Sequence, residues 1–242
     1  MAGLHRFANP GTFVRISAKV LPWLAGLTAI LIGVGLYQAL LVAPPEAYQG
    51  NVARIMYLHV PSAWNAMMIY GAMAVASATW LIWKHPVADV AAQASAPIGA
   101  MFTLTALLTG SLWGKPTWGT FWVWDARITS VTIMLFIYFG YIALRAAIED
   151  GERAAKAGAI LALVGSVNLP IIHYSVVWWN TLHQPASVLR AGGPAIVASM
   201  LVPLLLLACG FTTYYLTLLT WRMQREIVGR RVRSLRVLQA QG

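Results

Sequence analysis

The chain has 242 residues, of which 59% are hydrophobic and 10% charged, and its mean hydropathy is +0.68; soluble domains carry about a quarter charged residues, so water is not its principal solvent. The single cysteine, Cys209, excludes an internal disulfide framework and a CxxC redox pair, and the lack of CxxCH excludes a self-attached c-type haem. The net charge of +10 does not read as a nucleic-acid groove, because six of the 17 basic residues crowd into the tail after Trp221 and most of the others flank apolar runs, as at a membrane surface; an anchoring tail is the first reading of that segment and partner docking the second.

A helix needs about 20 apolar residues to cross the hydrocarbon core. The first such run, Trp23 to Val42, follows Arg6, Arg15 and Lys19. It is longer than the roughly 7–15 residues of a signal-peptide core, and it is read as a retained first helix. Further runs follow at 62–83, 92–112, 128–145, 157–178 and 196–220, the fifth expected to kink near Asn168 and Pro170. None shows the alternation of barrel strands, and backbone groups in lipid must be paired within each segment, so helices are expected. Connections are short and no repeat is visible. The expected fold is all-α and polytopic, a six-transmembrane-helix bundle over 1–242 with a basic cytoplasmic tail at 221–242.

Six spans put both termini on one side. With the termini inside, the inner set is Arg6, Arg15, Lys19, Lys84, Arg145, Arg153, Lys156 and the six arginines from Arg222 to Arg236, against Arg54, Lys115, Arg127 and Arg190 outside. The positive-inside rule therefore orients the chain with cytoplasmic termini. Segments 43–61, 113–127 and 179–195 then share the outer face.

Each outer segment holds more than a connector needs. The first ends in Tyr57-Leu58-His59-Val60-Pro61, with Pro61 in a helix's first turn and His59 at the membrane boundary. The second runs from Trp113 to Asp125 and holds Trp113, Trp118, Trp122 and Trp124, four of the chain's 11 tryptophans. Interfacial preference explains one or two of these. In an extended or bent chain Trp122 and Trp124 would lie on one side as a flat apolar wall for a large planar ligand. Asp125 and Arg127 are either a local pair or polar groups that orient that ligand. The third segment begins Trp178-Trp179-Asn180-Thr181-Leu182-His183. Two histidines beside aromatics on one face suit the two axial positions of a haem iron, with apolar contacts around the ring. His5 and His85 fall on the inner side; His173, near the outer end of the fifth run, is either an alternative ligand or a hydrogen-bonded group of the bundle.

Trp113 to Asp125 resembles the tryptophan-rich (WWD) signature of the haem-handling proteins of cytochrome c biogenesis, and the segments around His59 and His183 resemble their two histidine segments. Length and span number single out the CcmC (haem exporter protein C) family over its larger relatives, the haem lyase subunit CcmF and the synthetase component CcsA. The resemblance implies haem b held transiently at the periplasmic face of the bacterial inner membrane. His59 and His183 would be its axial ligands, with the tryptophan-rich segment supporting the porphyrin. It further implies presentation of haem to the chaperone CcmE, which takes it covalently, in a complex with CcmA, CcmB and CcmD of which the ATPase is a partner. No P-loop and no independent catalytic constellation occurs in this chain, so positioning is its expected contribution. Arg54 and Arg127 are candidates for pairing with the haem propionates. Two other classes compete: a membrane cytochrome b, whose histidines would sit within the bundle, and a haem permease, whose spans would carry charge at their middles.

Overall fold

The computed structural model describes residues 9–185 and 187–241; His5 and Arg6 lie outside the described residues. Among these there are seven α-helices and no strand: α1 (Pro10–Tyr37), α2 (Met56–Trp83), α3 (Pro86–Trp118), α4 (Ala126–Ala147), α5 (Gly151–Gly165), α6 (Asn168–Trp178) and α7 (Ala198–Gln241). With α5 and α6 taken as one broken span, six segments are long and apolar enough to cross a membrane. The chain is a multi-pass membrane protein.

Helix boundaries follow from local chemistry. The Asn9 side chain accepts from the N–H groups of Gly11 (2.8 Å) and Thr12 (3.3 Å), and Pro10 starts α1. Lys84, at φ +50°, closes α2, and the His85 ring nitrogen accepts from Ala88 N–H at 3.2 Å to open α3. Asp125 and Asp150 cap α4 and α5. The fifth span breaks at Ser166-Val167, because Pro170 has no N–H for the Ser166 carbonyl and its ring crowds it. Asn168 Nδ2 fastens the break to the Ser130 carbonyl at 2.8 Å.

Five of the six expected apolar runs lie wholly inside these segments, and the sixth begins at Ala198 instead of 196. Two boundaries differ in ways that move functional residues. Helix α2 starts at Met56, directly after a 3-10 turn at Asn51–Ile55, so His59 is on the helix and not on a loop edge. Helix α3 runs past Pro116 to Trp118, so Trp113 and Trp118 are helical as well. A proline costs only the bond to its i−4 carbonyl, and the turn after it closes on Gly119, at φ +80°, whose N–H donates to the Lys115 carbonyl at 3.0 Å.

The core lies between α2, α3, α4 and α5. Tyr70 and Tyr138 meet edge to face at 5.1 Å and donate to the carbonyls of Ala162 (3.2 Å) and Ala66 (3.0 Å). Each phenol occupies space opened by a missing side chain: a Cβ on Gly165 would stand 2.1 Å from the Tyr70 oxygen, and one on Gly99 would stand 2.2 Å from the Tyr138 ring. Helices α1 and α7 pair through small residues, with Thr28 and Thr217 hydroxyls 3.0 Å apart and Gly35 against Leu207.

At the end that holds the start of α3 and the basic tail, a charge cluster is buried. Asp89 takes Arg145 of α4 at 2.6 Å and Arg230 of α7 at 2.9 Å, and both guanidinium groups also donate to Gln93 Oε1. Arg230 reaches Glu226 on its own helix at 2.8 Å. The tail is thus a continuation of α7 clamped to α3 at Arg230.

Candidate haem site

At the opposite end, the last three turns of α3 form a spine that both histidines touch. His59, in the first turn of α2, sits with Nδ1 3.0 Å from the Ala106 carbonyl and 3.1 Å from Thr109 Oγ1. A carbonyl only accepts, so Nδ1 carries the proton and Nε2 is left with its lone pair. The Cε1 corner of the ring lies against Gly110, where a Cβ would stand 2.8 Å from it. Trp113 meets it edge on at 5.7 Å.

His183 arrives from the irregular segment between α6 and α7. Its Nδ1 is 3.2 Å from Asp125 Oδ2, which also accepts from Leu182 N–H at 3.3 Å, while Asp125 Oδ1 caps α4 through Ile128 N–H at 2.8 Å. Because the carboxylate is an acceptor, Nδ1 again holds the proton and Nε2 is free. Burial pushes the His183 pKa down and Asp125 opposes it; the net shift is downward, toward the neutral imidazole that binds iron. Trp118 meets this ring edge on at 4.9 Å. The two edge contacts come from one helix, five residues apart, which is a rise of about 7.5 Å along the spine. His183 and Arg127 both lie near enough to His59 for their charges to act on it.

The short segment after Gly119 folds back over α3. Ser111 Oγ donates to the Phe121 carbonyl at 2.7 Å, and the Thr120 carbonyl lies against Gly114, where a Cβ would be 3.1 Å away. Trp122 and Trp124 are in contact at 5.2 Å, but at an interplanar angle of 77°. The expected flat wall is therefore a right-angled pair, and the Asp125 N–H closes a tight turn around Trp124 on the Val123 carbonyl at 2.8 Å. Trp124 is 70% exposed, whereas Trp122 Nε1 is buried without a partner, as is Thr181 Oγ1. Trp113 donates to Gln49 Oε1 at 2.8 Å. Gln49 belongs to a turn held by Glu46, whose carboxylate accepts from Gln49 N–H (2.6 Å) and Tyr48 N–H (2.8 Å) and lies below its usual pKa range for that reason.

The two arginines are placed differently from one another. Arg54 makes four hydrogen bonds, to the carbonyls of Ala39, Leu40 and Ala43 at the end of the first span and to Asn51 Oδ1. Only one of its five donors is uncommitted. Arg127 is in the first turn of α4, and no Asp125–Arg127 ion pair occurs among the described residues. It donates instead to Ser175 Oγ at 3.0 Å and, at 3.4 Å, to the carbonyls of Ile172 and His173. The local-pair reading of Asp125 and Arg127 is thereby replaced: each ties α4 to a different element. The His173 ring is exposed and packs on Tyr174 at 4.7 Å, away from the spine. The contacts of Ala106, Thr109 and Gly110 with His59 were invisible to sequence reasoning, although a threonine and a glycine in an apolar helix were an available signal.

Two imidazoles with free Nε2 atoms fit a metal that arrives with four other ligands, as iron does in a porphyrin. Among the described residues no group of three or more His, Cys, Asp or Glu side chains could hold a bare ion. The unpartnered Trp122 and Thr181 donors fit the polar rim of such a ligand.

Comparison with known proteins agrees with this chemistry. The sequence model of a family described as "Heme exporter protein C" matches residues 3–238. The chain is 56% identical to the "Heme exporter protein C" of Bradyrhizobium diazoefficiens, over 96% of this chain and 88% of that protein. Its identity is 50% to the protein of the same name from Haemophilus influenzae, over 91% of both chains. For that of Escherichia coli K12 it is 47%, over 93% of this chain and 91% of the relative.

Proposed function

The chain belongs to the heme exporter protein C family and has a role in haem handling for cytochrome c maturation, and from that premise we propose that it holds haem b between His59 and His183 and presents it to the chaperone CcmE. In this reading the protein is a multi-pass component of the bacterial inner membrane, with cytoplasmic termini and the histidines at the periplasmic face. CcmA, CcmB and CcmD are its partners in the complex, and hydrolysis of ATP belongs to CcmA.

The observation that carries the proposal is that two imidazoles on different elements each spend Nδ1 on a fixed acceptor and keep Nε2 free, beside one helix. Bound haem would supply the reactive vinyl group. The residues of this chain hold and orient: Ala106 and Asp125 fix the two imidazole tautomers, Trp113 and Trp118 steady the rings from their edges, and Trp122 and Trp124 offer a corner for the porphyrin. The Trp122 N–H and the Arg127 guanidinium are the groups this reading assigns to the propionates, because the Arg54 donors already serve the carbonyls of Ala39, Leu40 and Ala43, just beyond α1. Holding ligands at the end of the bundle, not at its middle, favours handover over the stable storage of a membrane cytochrome b.

The test is the absorption spectrum and haem content of the purified protein beside His59→Ala and His183→Ala, with covalent haem measured on co-expressed CcmE. A low-spin bis-imidazole spectrum in the parent, lost in either variant together with loading, is the expected result. Unchanged spectra and loading in both variants would overturn the assignment.

A further inference from the structure

The two histidines are held in unequal ways, and we infer that their parts are unequal: His59 is the standing axial ligand, while His183, whose ring is hydrogen-bonded to Asp125 only, is the ligand that exchanges at handover. The inference rests on the haem reading above and adds an order of events to it. His59 belongs to the first turn of the 28-residue helix α2, and its ring is held against Gly110 with Nδ1 shared by the Ala106 carbonyl and Thr109. Displacing it requires moving α2 against α3.

His183 has no such support. The described hydrogen bonds of residues 180–185 are two, from Leu182 N–H and His183 Nδ1, and both end on the same carboxylate oxygen of Asp125. The rest of the segment up to α7 has sparse backbone bonding and two glycines, Gly192 and Gly193, at φ +91° and +88°. Thr181, two residues before the ring, has a buried hydroxyl without a partner, so beside the edge contact of Trp118 the described hydrogen bonds to Asp125 are what hold this stretch. One carboxylate thus sets the tautomer of His183, strengthens it as a donor, and holds its backbone in place. When that contact opens, the iron–Nε2 bond of His183 breaks with the electron pair leaving on nitrogen. An incoming lone-pair donor fills the vacated position, and the Nδ1 proton and the oxidation state of the iron do not change. Asp125 is a positioning residue in this scheme, acting through His183.

The protein is purified with haem bound, and the parent spectrum is read first; a parent that retains no haem defeats the haem reading itself. With haem retained, His59→Gly and His183→Gly are each titrated with imidazole. Recovery of the low-spin spectrum is expected in His183→Gly and not in His59→Gly, whose vacancy is closed in by α3. In parallel, Asp125→Asn keeps the α4 cap, since asparagine caps as well as aspartate, and puts an amide N–H donor in place of the charged oxygen that accepts from His183 and Leu182. It is expected to speed haem loss to a scavenging apoprotein about 10-fold or more and to raise the midpoint potential, in both respects by more than Thr109→Val does, because the Ala106 carbonyl still holds His59 in that variant. Equal rescue of the two glycine variants, or equal effects of Asp125→Asn and Thr109→Val, would overturn the inference and leave bis-histidine binding intact.

Discussion

The two ends of the bundle gather polar side chains from several helices, but they finish the job differently. At the tail end Asp89, Gln93, Arg145 and Arg230 consume one another's hydrogen-bonding capacity, and Arg145 Nε is the one buried atom there left over. At the site end His59 and His183 each turn a free Nε2 away from their protein partners, and Trp122 Nε1 and Thr181 Oγ1 are buried with nothing to bond. A closed network holds helices together, whereas an open one is built for a guest.

The largest effect that would sharpen this contrast is at Asp89. Its replacement by alanine leaves the buried Arg145 guanidinium without a counter-charge and Arg230 with Glu226 alone, and we expect a loss of about 3–5 kcal/mol. Thermal unfolding in detergent measures it. The haem spectrum per folded molecule should not change, and a variant that folds normally but loses haem would break the division between the ends.

A second prediction concerns the core between them. Gly165→Ala drives a methyl group into the Tyr70 oxygen, and overpacking of this kind costs about 1–3 kcal/mol. The fall in unfolding temperature should be partly restored by Tyr70→Phe, which removes the atom that clashes.

Gly110→Ala applies the same insult at the site end, where the clash falls on the His59 ring. Here the cost should appear mainly as haem affinity, about 10-fold weaker for roughly 1.4 kcal/mol of displaced ligand, with a smaller change in unfolding temperature than Gly165→Ala. A large stability loss without an affinity loss would place Gly110 with the core and not with the site.

The smallest expected effect is a pH dependence at the turn that supports Trp113. Glu46 has its pKa lowered by the N–H groups of Gln49 and Tyr48, so the ordering it provides is fully present above its ordinary value of 4.5 and is lost as pH falls through the depressed one. Acidification should change Trp113 fluorescence in that range, and Glu46→Gln should remove the transition.

How much of this was legible beforehand varied with the physics of each feature. Apolar runs of membrane length announce themselves, so six spans and a helical fold were readable, as was the gathering of tryptophans before Asp125. Ends of helices were less so: Pro61 read as part of a helix's first turn and Trp113 to Asp125 as an outer segment, yet α2 begins five residues before Pro61 and α3 continues through Pro116 to Trp118. The partner of a side chain was least legible. Asp125 and His183 are 58 residues apart, Arg54 and the Ala39 carbonyl 15, and no spacing rule connects them. Arg54 and Arg127 looked equivalent as outward cations; folding commits Arg54 to the end of α1 and Arg127 to α6.

Helix α7 deserves a last consideration as a mechanical part. Its 44 residues make a rod of about 66 Å, roughly twice the thickness of a hydrocarbon core. Its first residue, Ala198, follows the segment that carries His183, and Arg230 pins its far half to α3. Between those two points Thr217 and Leu207 hold it against Thr28 and Gly35 of α1, so the segment that carries His183 and the basic tail are tied to opposite ends of one braced rod.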